Sequence, residues 1–284
     1  MNSKILSLAK KFRLQMLLAA LVAIYFLSAP KSEKSFKSVF LNPKYGVDSI
    51  ELCEKGGALL LEKAGSFWLG SLDLENGKKL CFACDNLLVE KFLSNLRNVS
   101  DFYEISNGQG AKAGYGLDAA DSFSLTLRQE DKKVLSVNFG SVDSRRRVFF
   151  CIEGKEKILA VDSESLSPYL TANENFWASP EIFPIGVVGI DLKYRRGKAA
   201  LKNGKPLLAE DLNWSSALEK VYDAKDGNVY KALFLPGADG DYYFALASNP
   251  SAQRDPVEKA ALLKINSVFN VSSWTVERLL KEEY

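Results

Sequence analysis

Residues 47–63 read Val-Asp-Ser-Ile-Glu-Leu-Cys-Glu-Lys-Gly-Gly-Ala-Leu-Leu-Leu-Glu-Lys. Val47 to Cys53 alternates apolar and polar side chains. Gly56-Gly57 then supplies a turn, and Ala58 to Lys63 returns. A period of two places one side of a strand in a core and the other in water, so this stretch predicts a β-hairpin. Ser66 to Gly70, with Trp68, extends it into a meander. The pattern recurs at Ser122–Leu127, Lys133–Phe139, Arg147–Ile152 and Lys157–Val161, with a further strand at Asp101–Ile105. The architecture expected is therefore α+β: a β-rich body of short antiparallel meanders with a few packed helices.

The helices are read from a different period. Asp85 to Val99 carries Leu87, Leu88, Phe92, Leu93, Leu96 and Val99 at helical spacing, with Asp85 placed to cap the free N–H groups of the first turn. Ser163–Leu170, Asn213–Asp223, Pro256–Phe269 and Ser273–Lys281 are expected as further helices. Strands are expected at Val187–Tyr194 and Lys198–Leu201, paired across Arg196-Gly197. Two more are expected at Val229–Leu235 and at Tyr242–Ala247 after the turn Gly237-Ala238-Asp239-Gly240. VDSIELCEKGGALLLEK and VVGIDLKYRRGKAALKN align loosely, a weak hint of an internal repeat.

Upstream of all this, Leu14 to Ala29 reads LQMLLAALVAIYFLSA, with no charge inside it. Lys4, Lys10, Lys11 and Arg13 precede it without an acid among them. A charge at the bilayer centre costs several kcal/mol, and basic flanks stay cytoplasmic, so the run reads as a membrane segment with the rest of the chain outside. It is short for a span of roughly 20 residues. A cleaved secretory signal is the other reading, but cleavage after Ala29 would place Leu27 where a small residue is wanted and Pro30 just beyond the cut. The organisation expected is a cytoplasmic flank and transmembrane signal anchor (1–30), a linker (31–44), a β-rich domain (45–172) and a second α+β segment (173–284). The location expected is the inner membrane, single-pass, with the folded part periplasmic.

Charge supports the division. The formal charge is +2, from 37 basic and 35 acidic residues. Setting aside the four basic residues of the first 30 leaves 33 against 35, so the outer part is near neutral and offers nucleic acid no general attraction. The chain has no His. That removes Ser-His-Asp and Cys-His catalysis and His-ligated zinc. No pair of carboxylates is singled out for glycosidase work, and no Gly-rich phosphate loop is present. No catalytic, cofactor-binding or metal-ligating residue is assigned, and an enzyme is not expected.

Four smaller features ask for a reading. Cys81-Phe82-Ala83-Cys84 has the spacing of redox and metal sites but lacks the βαβ context of thioredoxin-like motifs. With Cys53 and Cys151 these thiols could be small buried side chains, a structural disulfide or, least of all, a reactive pair. Arg145-Arg146-Arg147 lies between two strands, either as a solvated hairpin tip or as a phosphate or lipid-headgroup patch. Asp223-Ala224-Lys225-Asp226-Gly227-Asn228 and Asp239-Gly240-Asp241 fit polar turns better than calcium loops. Trp68, Trp177, Trp214 and Trp274, with Tyr242, Tyr243 and Phe244, would be core packing or the lining of a ligand groove.

One longer pattern resembles a known family. Tyr115-Gly116-Leu117-Asp118 precedes the strand pair FSLTLRQEDKKVLSVNFG, an Arg-bearing turn, VFFCIEGKEKILAV and a short helix ending at Tyr169-Leu170. Together with the N-terminal anchor, the Val47-Asp48-Ser49-Ile50-Glu51-Leu52 strand and Trp68, this order resembles the bacterial domain of unknown function 4340 (DUF 4340) family over roughly residues 45–195. Ala119-Ala120 stands where that family often has a Pro. The resemblance implies a membrane-anchored protein, and members are often encoded near ABC-type export components of the gliding-motility kind. It implies no catalytic residues. The function expected is an accessory or scaffold protein of an ABC-type transport or envelope complex. The alternative is an extracytoplasmic module that binds cell-wall glycan or lipid.

Overall fold

The first hairpin forms as the alternation requires. In the computed structural model, β1 (Ser49–Glu54) pairs antiparallel with β2 (Gly57–Ala64), Ile50 opposite Leu61 and Leu52 opposite Leu59. All four of these side chains are fully buried, while Ser49, Glu51 and Cys53 point to the other face. The structure describes residues 38–281 except 43, 56, 107–111, 119–121, 185–195, 224–226, 228, 238–239 and 251–253. The apolar run 14–29 and the strand expected at 187–194, which carries most of the suggested repeat, lie outside the described residues.

The meander continues through β3 (Phe67–Asp73) to β4 (Lys79–Ala83). The helix α1 (Asn86–Asn98) follows, its first turn capped by Asp85, whose carboxylate accepts from Leu87 N and Leu88 N. Val89, Phe92, Leu93 and Leu96 are its buried face, whereas Leu87 points into solvent. After β5 (Tyr103–Ser106), a second meander runs through β6 (Phe123–Gln129), β7 (Lys132–Val142), β8 (Arg147–Ile152) and β9 (Ile158–Asp162). The nine strands form one antiparallel sheet in the order β4-β3-β2-β1-β6-β7-β8-β9-β5.

That order is symmetrical about its middle. β1 and β6 pair with Leu52 opposite Leu125 and Ile50 opposite Leu127, and each meander winds outward from this joint. After each, the chain crosses the same inner face: α1 after β4, then after β9 a single 3-10 turn (Ser167–Tyr169) and the short helix α2 (Glu174–Trp177). The two crossings pack on each other. Phe92 stacks on Tyr169 at 5.4 Å and meets Trp177 edge-on at 5.5 Å. These rings, with Leu125, Val137, Phe139, Phe150 and the first hairpin, form the main core. The region expected as a helix at 163–170 is only that one turn, because Pro168 has no N–H to continue a ladder.

The remaining strands lie C-terminal to this sheet. β10 (Lys198–Ala199), β13 (Leu218–Asp223), β14 (Val229–Pro236), β15 (Tyr242–Asn249) and β16 (Phe269–Val271) form a five-stranded sheet in the order β10-β16-β15-β14-β13. β11 (Leu201–Lys202) and β12 (Lys205–Pro206) make a separate hairpin over Asn203-Gly204, both with positive φ as a tight hairpin turn needs. Two helices close the chain: α3 (Pro256–Lys264) and α4 (Ser273–Lys281). Phe183, Tyr230, Phe234, Phe244, Val276 and Leu279 make a second core.

Two expectations are corrected here. Asn213–Asp223 is not a helix. Asn213 caps one 3-10 turn at Trp214–Ser216, and Leu218–Asp223 is β13. Trp214, Ala217, Leu218 and Val221 mimic helical spacing, but pairing with β14 and the Tyr222 O–H donated to Leu279 O at 2.8 Å favour the strand. The helix expected to reach Phe269 stops at Lys264. From Asn266 the chain instead ties the two sheets together. Asn266 N donates to Cys81 O, Cys81 N to Asn266 Oδ1 (2.8 Å) and Asn266 Nδ2 to Lys79 O (2.9 Å), and Phe269–Val271 then joins β15. Asn266 thereby covers the Lys79–Cys81 part of the β4 edge, and Ser179 N, donating to Ala83 O at 2.8 Å, covers its end, so the edge is not open to another strand.

Candidate functional site

The C-x-x-C pair is built on extended backbone at the end of β4, and that decides its chemistry. Leu80, Phe82 and Cys84 face the main core. Cys81 and Ala83 face the opposite side, where Ala64, Phe67, Leu69, Ala261 and Leu262 cover them beneath α3. Side chains three apart on a strand point to opposite faces, so the two sulfurs cannot bond to each other or share a metal ion. Burial pushes both thiols up from their ordinary value, Cys84 most strongly, which is the reverse of what a reactive thiolate needs.

Cys53 and Cys151 share the outer face of the sheet. Cys53 lies opposite Ser124, Ser124 opposite Asn138, and Asn138 opposite Cys151. Three strand spacings separate them, about 14 Å, far outside the reach of a disulfide. All four cysteines are free thiols. Cys53 is half-buried at a hollow of about 230 Å³ lined by Glu54, Lys55, Ser122, Ser124 and Asn138. Among the described residues, no group of three or more Cys, Asp or Glu side chains is placed to hold a metal ion.

The arginine run forms the tip between β7 and β8. Asp143 organises it: its Oδ1 accepts from Arg145 N and Arg147 N, each at 2.9 Å, and its Oδ2 from Arg147 Nε and Nη2 at 2.9 and 2.6 Å. Hydrogen bonds from the Arg147 side chain and backbone hold the Asp143 carboxyl below its ordinary range. Arg147 also lies over the Tyr103 ring at 5.3 Å, and Arg146, in the left-handed region, pairs with Glu164 at 3.2 Å. Arg147 is thus committed to Asp143, whereas the Arg146–Glu164 pair stays largely in solvent.

The four Trp side chains do not converge. Trp68 and Trp177 are in the main core. Trp68 Nε1 donates to Glu90 and Trp177 Nε1 to Thr171 O. Trp214 packs in a small cluster with Leu207, Val268 and Tyr243 and donates to Ala209 O at 2.7 Å. Trp274 lies on the exposed side of α4. Phe244 belongs to the second core, and Tyr242 packs against it. A hollow of about 400 Å³ lies between α3 and the β2–β3 hairpin, lined by Glu62, Lys63, Ala64, Leu69, Val257 and Lys264 among others, with no aromatic ring. Another of similar volume has Tyr45 as its one aromatic.

One arrangement carries little signal in the sequence. Arg254 and Glu258 form an ion pair at 2.8 Å, with side chains only 8% and 11% exposed. Glu258 Oε1 also accepts from Ser66 Oγ and, at 3.4 Å, from Ser66 N. The carboxylate fits because Gly65, at φ +63°, turns the β2–β3 loop tightly beneath it; a Cβ there would lie 3.1 Å from the Glu258 carboxyl carbon. Asp255-Pro256, a helix-start signal, marks where α3 begins but not the contact 192 residues away in sequence.

No protein-family model matches the chain, no curated protein matches it in sequence, and no solved structure matches it. Among the described residues no helix is long and apolar enough to cross a membrane.

Proposed function

We propose that this chain is a single-pass, outward-facing accessory protein that uses its β-rich body to bind another protein of an ABC-type transport or envelope complex. The observation that carries the reading is the uncharged run Leu14–Ala29 directly behind Lys4, Lys10, Lys11 and Arg13. In this reading the run is an uncleaved anchor in the inner membrane, and the two sheets stand in the periplasm. The resemblance of the chain's motif order to the DUF 4340 family is the ground for a transport or envelope setting. A protein-binding role needs neither cofactor nor metal and no nucleic acid. The commitment of Arg147 to Asp143, and of Trp68 and Trp177 to the core, weakens the glycan- or lipid-binding alternative.

The test is topology and extraction of the full-length chain. Alkaline carbonate should leave it in the membrane pellet. Protease added to spheroplasts should remove a C-terminal tag without detergent. A chain released by carbonate, or one whose tag is protected until lysis, would overturn the reading.

A further inference from the structure

We draw no further inference here: the strongest candidate, the hollow of about 400 Å³ between α3 and the β2–β3 hairpin, has an apolar floor at Ala64, Leu69 and Ala261 under a rim of mixed charge, and nothing in the structure shows what covers it.

Discussion

Cys81 and Cys84 lie on one extended segment and on opposite faces of the nine-stranded sheet. The spacing that suggests a redox pair in the sequence is, in the fold, two separate packing positions. One thiol touches the main core; the other seats α3. The pleat of the strand, not any distance along the chain, decides between these roles.

Thiol labelling checks this directly. Cys53, half-buried at a polar hollow, should react first with an alkylating reagent in the native protein. Cys81, Cys84 and Cys151 should react only as the protein unfolds. Peptide mass spectrometry of oxidised protein should find no Cys81–Cys84 link; a link formed in the folded state would contradict the placement of these residues.

Asn266 covers the Lys79–Cys81 part of the β4 edge with side-chain and backbone bonds. Asn266→Ala removes the side-chain partners of Cys81 N and Lys79 O. Groups left unsatisfied in a part-buried place cost about 1–3 kcal/mol. Urea unfolding should show a loss of that size, and hydrogen exchange at the Cys81 amide should quicken. An unchanged amide would mean that Asn266 does not hold this edge.

Glu258 is a buried charge held by Arg254 and Ser66. Glu258→Ala leaves the guanidinium without its carboxylate, and breaking a buried pair from one side costs about 3–5 kcal/mol. Glu258→Gln should cost less, because the amide oxygen can still accept from Ser66. Equal losses for the two variants, measured by denaturant titration, would show that the Ser66 hydrogen bonds contribute nothing and that the Arg254 charge pair carries the whole effect.

Asp143 gives the hairpin tip a pH dependence. Its carboxyl is held below the ordinary value of 3.8 by the Arg147 bonds, so the fold favours the charged form. That contribution is complete above the ordinary value and is lost as pH falls through the depressed one. Asp143→Asn should therefore lower stability at pH 7 and narrow the gap from wild type in the strongly acid range. A gap of constant size across that range would contradict the pairing.

The β-rich class was legible because Ile50, Leu52, Leu59, Leu61, Leu125 and Val137 each sit on a strand with one face in the core. Alternation fails where both faces are covered. Phe67 to Ser71 is buried at every position, and Leu80 to Cys84 is an apolar run beneath α3 on one side and over the main core on the other. β4 was missed for that reason. β13 imitates a helix because Trp214, Ala217, Leu218 and Val221 fall at helical spacing; in the strand Leu218 and Val221 are exposed, Tyr222 is the buried side chain, and pairing with β14 sets the conformation. Asp85 as a helix cap is a local signal and was readable. The contacts of Asn266 and Glu258 are long-range, and no short pattern encodes them.

Crosslinking in living cells shows whether the folded body has a membrane partner. Tagged full-length protein would be crosslinked, extracted in detergent and identified together with whatever is bound to it by mass spectrometry. A membrane-embedded transport or envelope subunit should be recovered, attached through lysines of the folded body, together with a peptide spanning an intact Leu14–Ala29. Recovery of the protein alone, or of a chain cleaved near Ala29, would contradict the proposed accessory role.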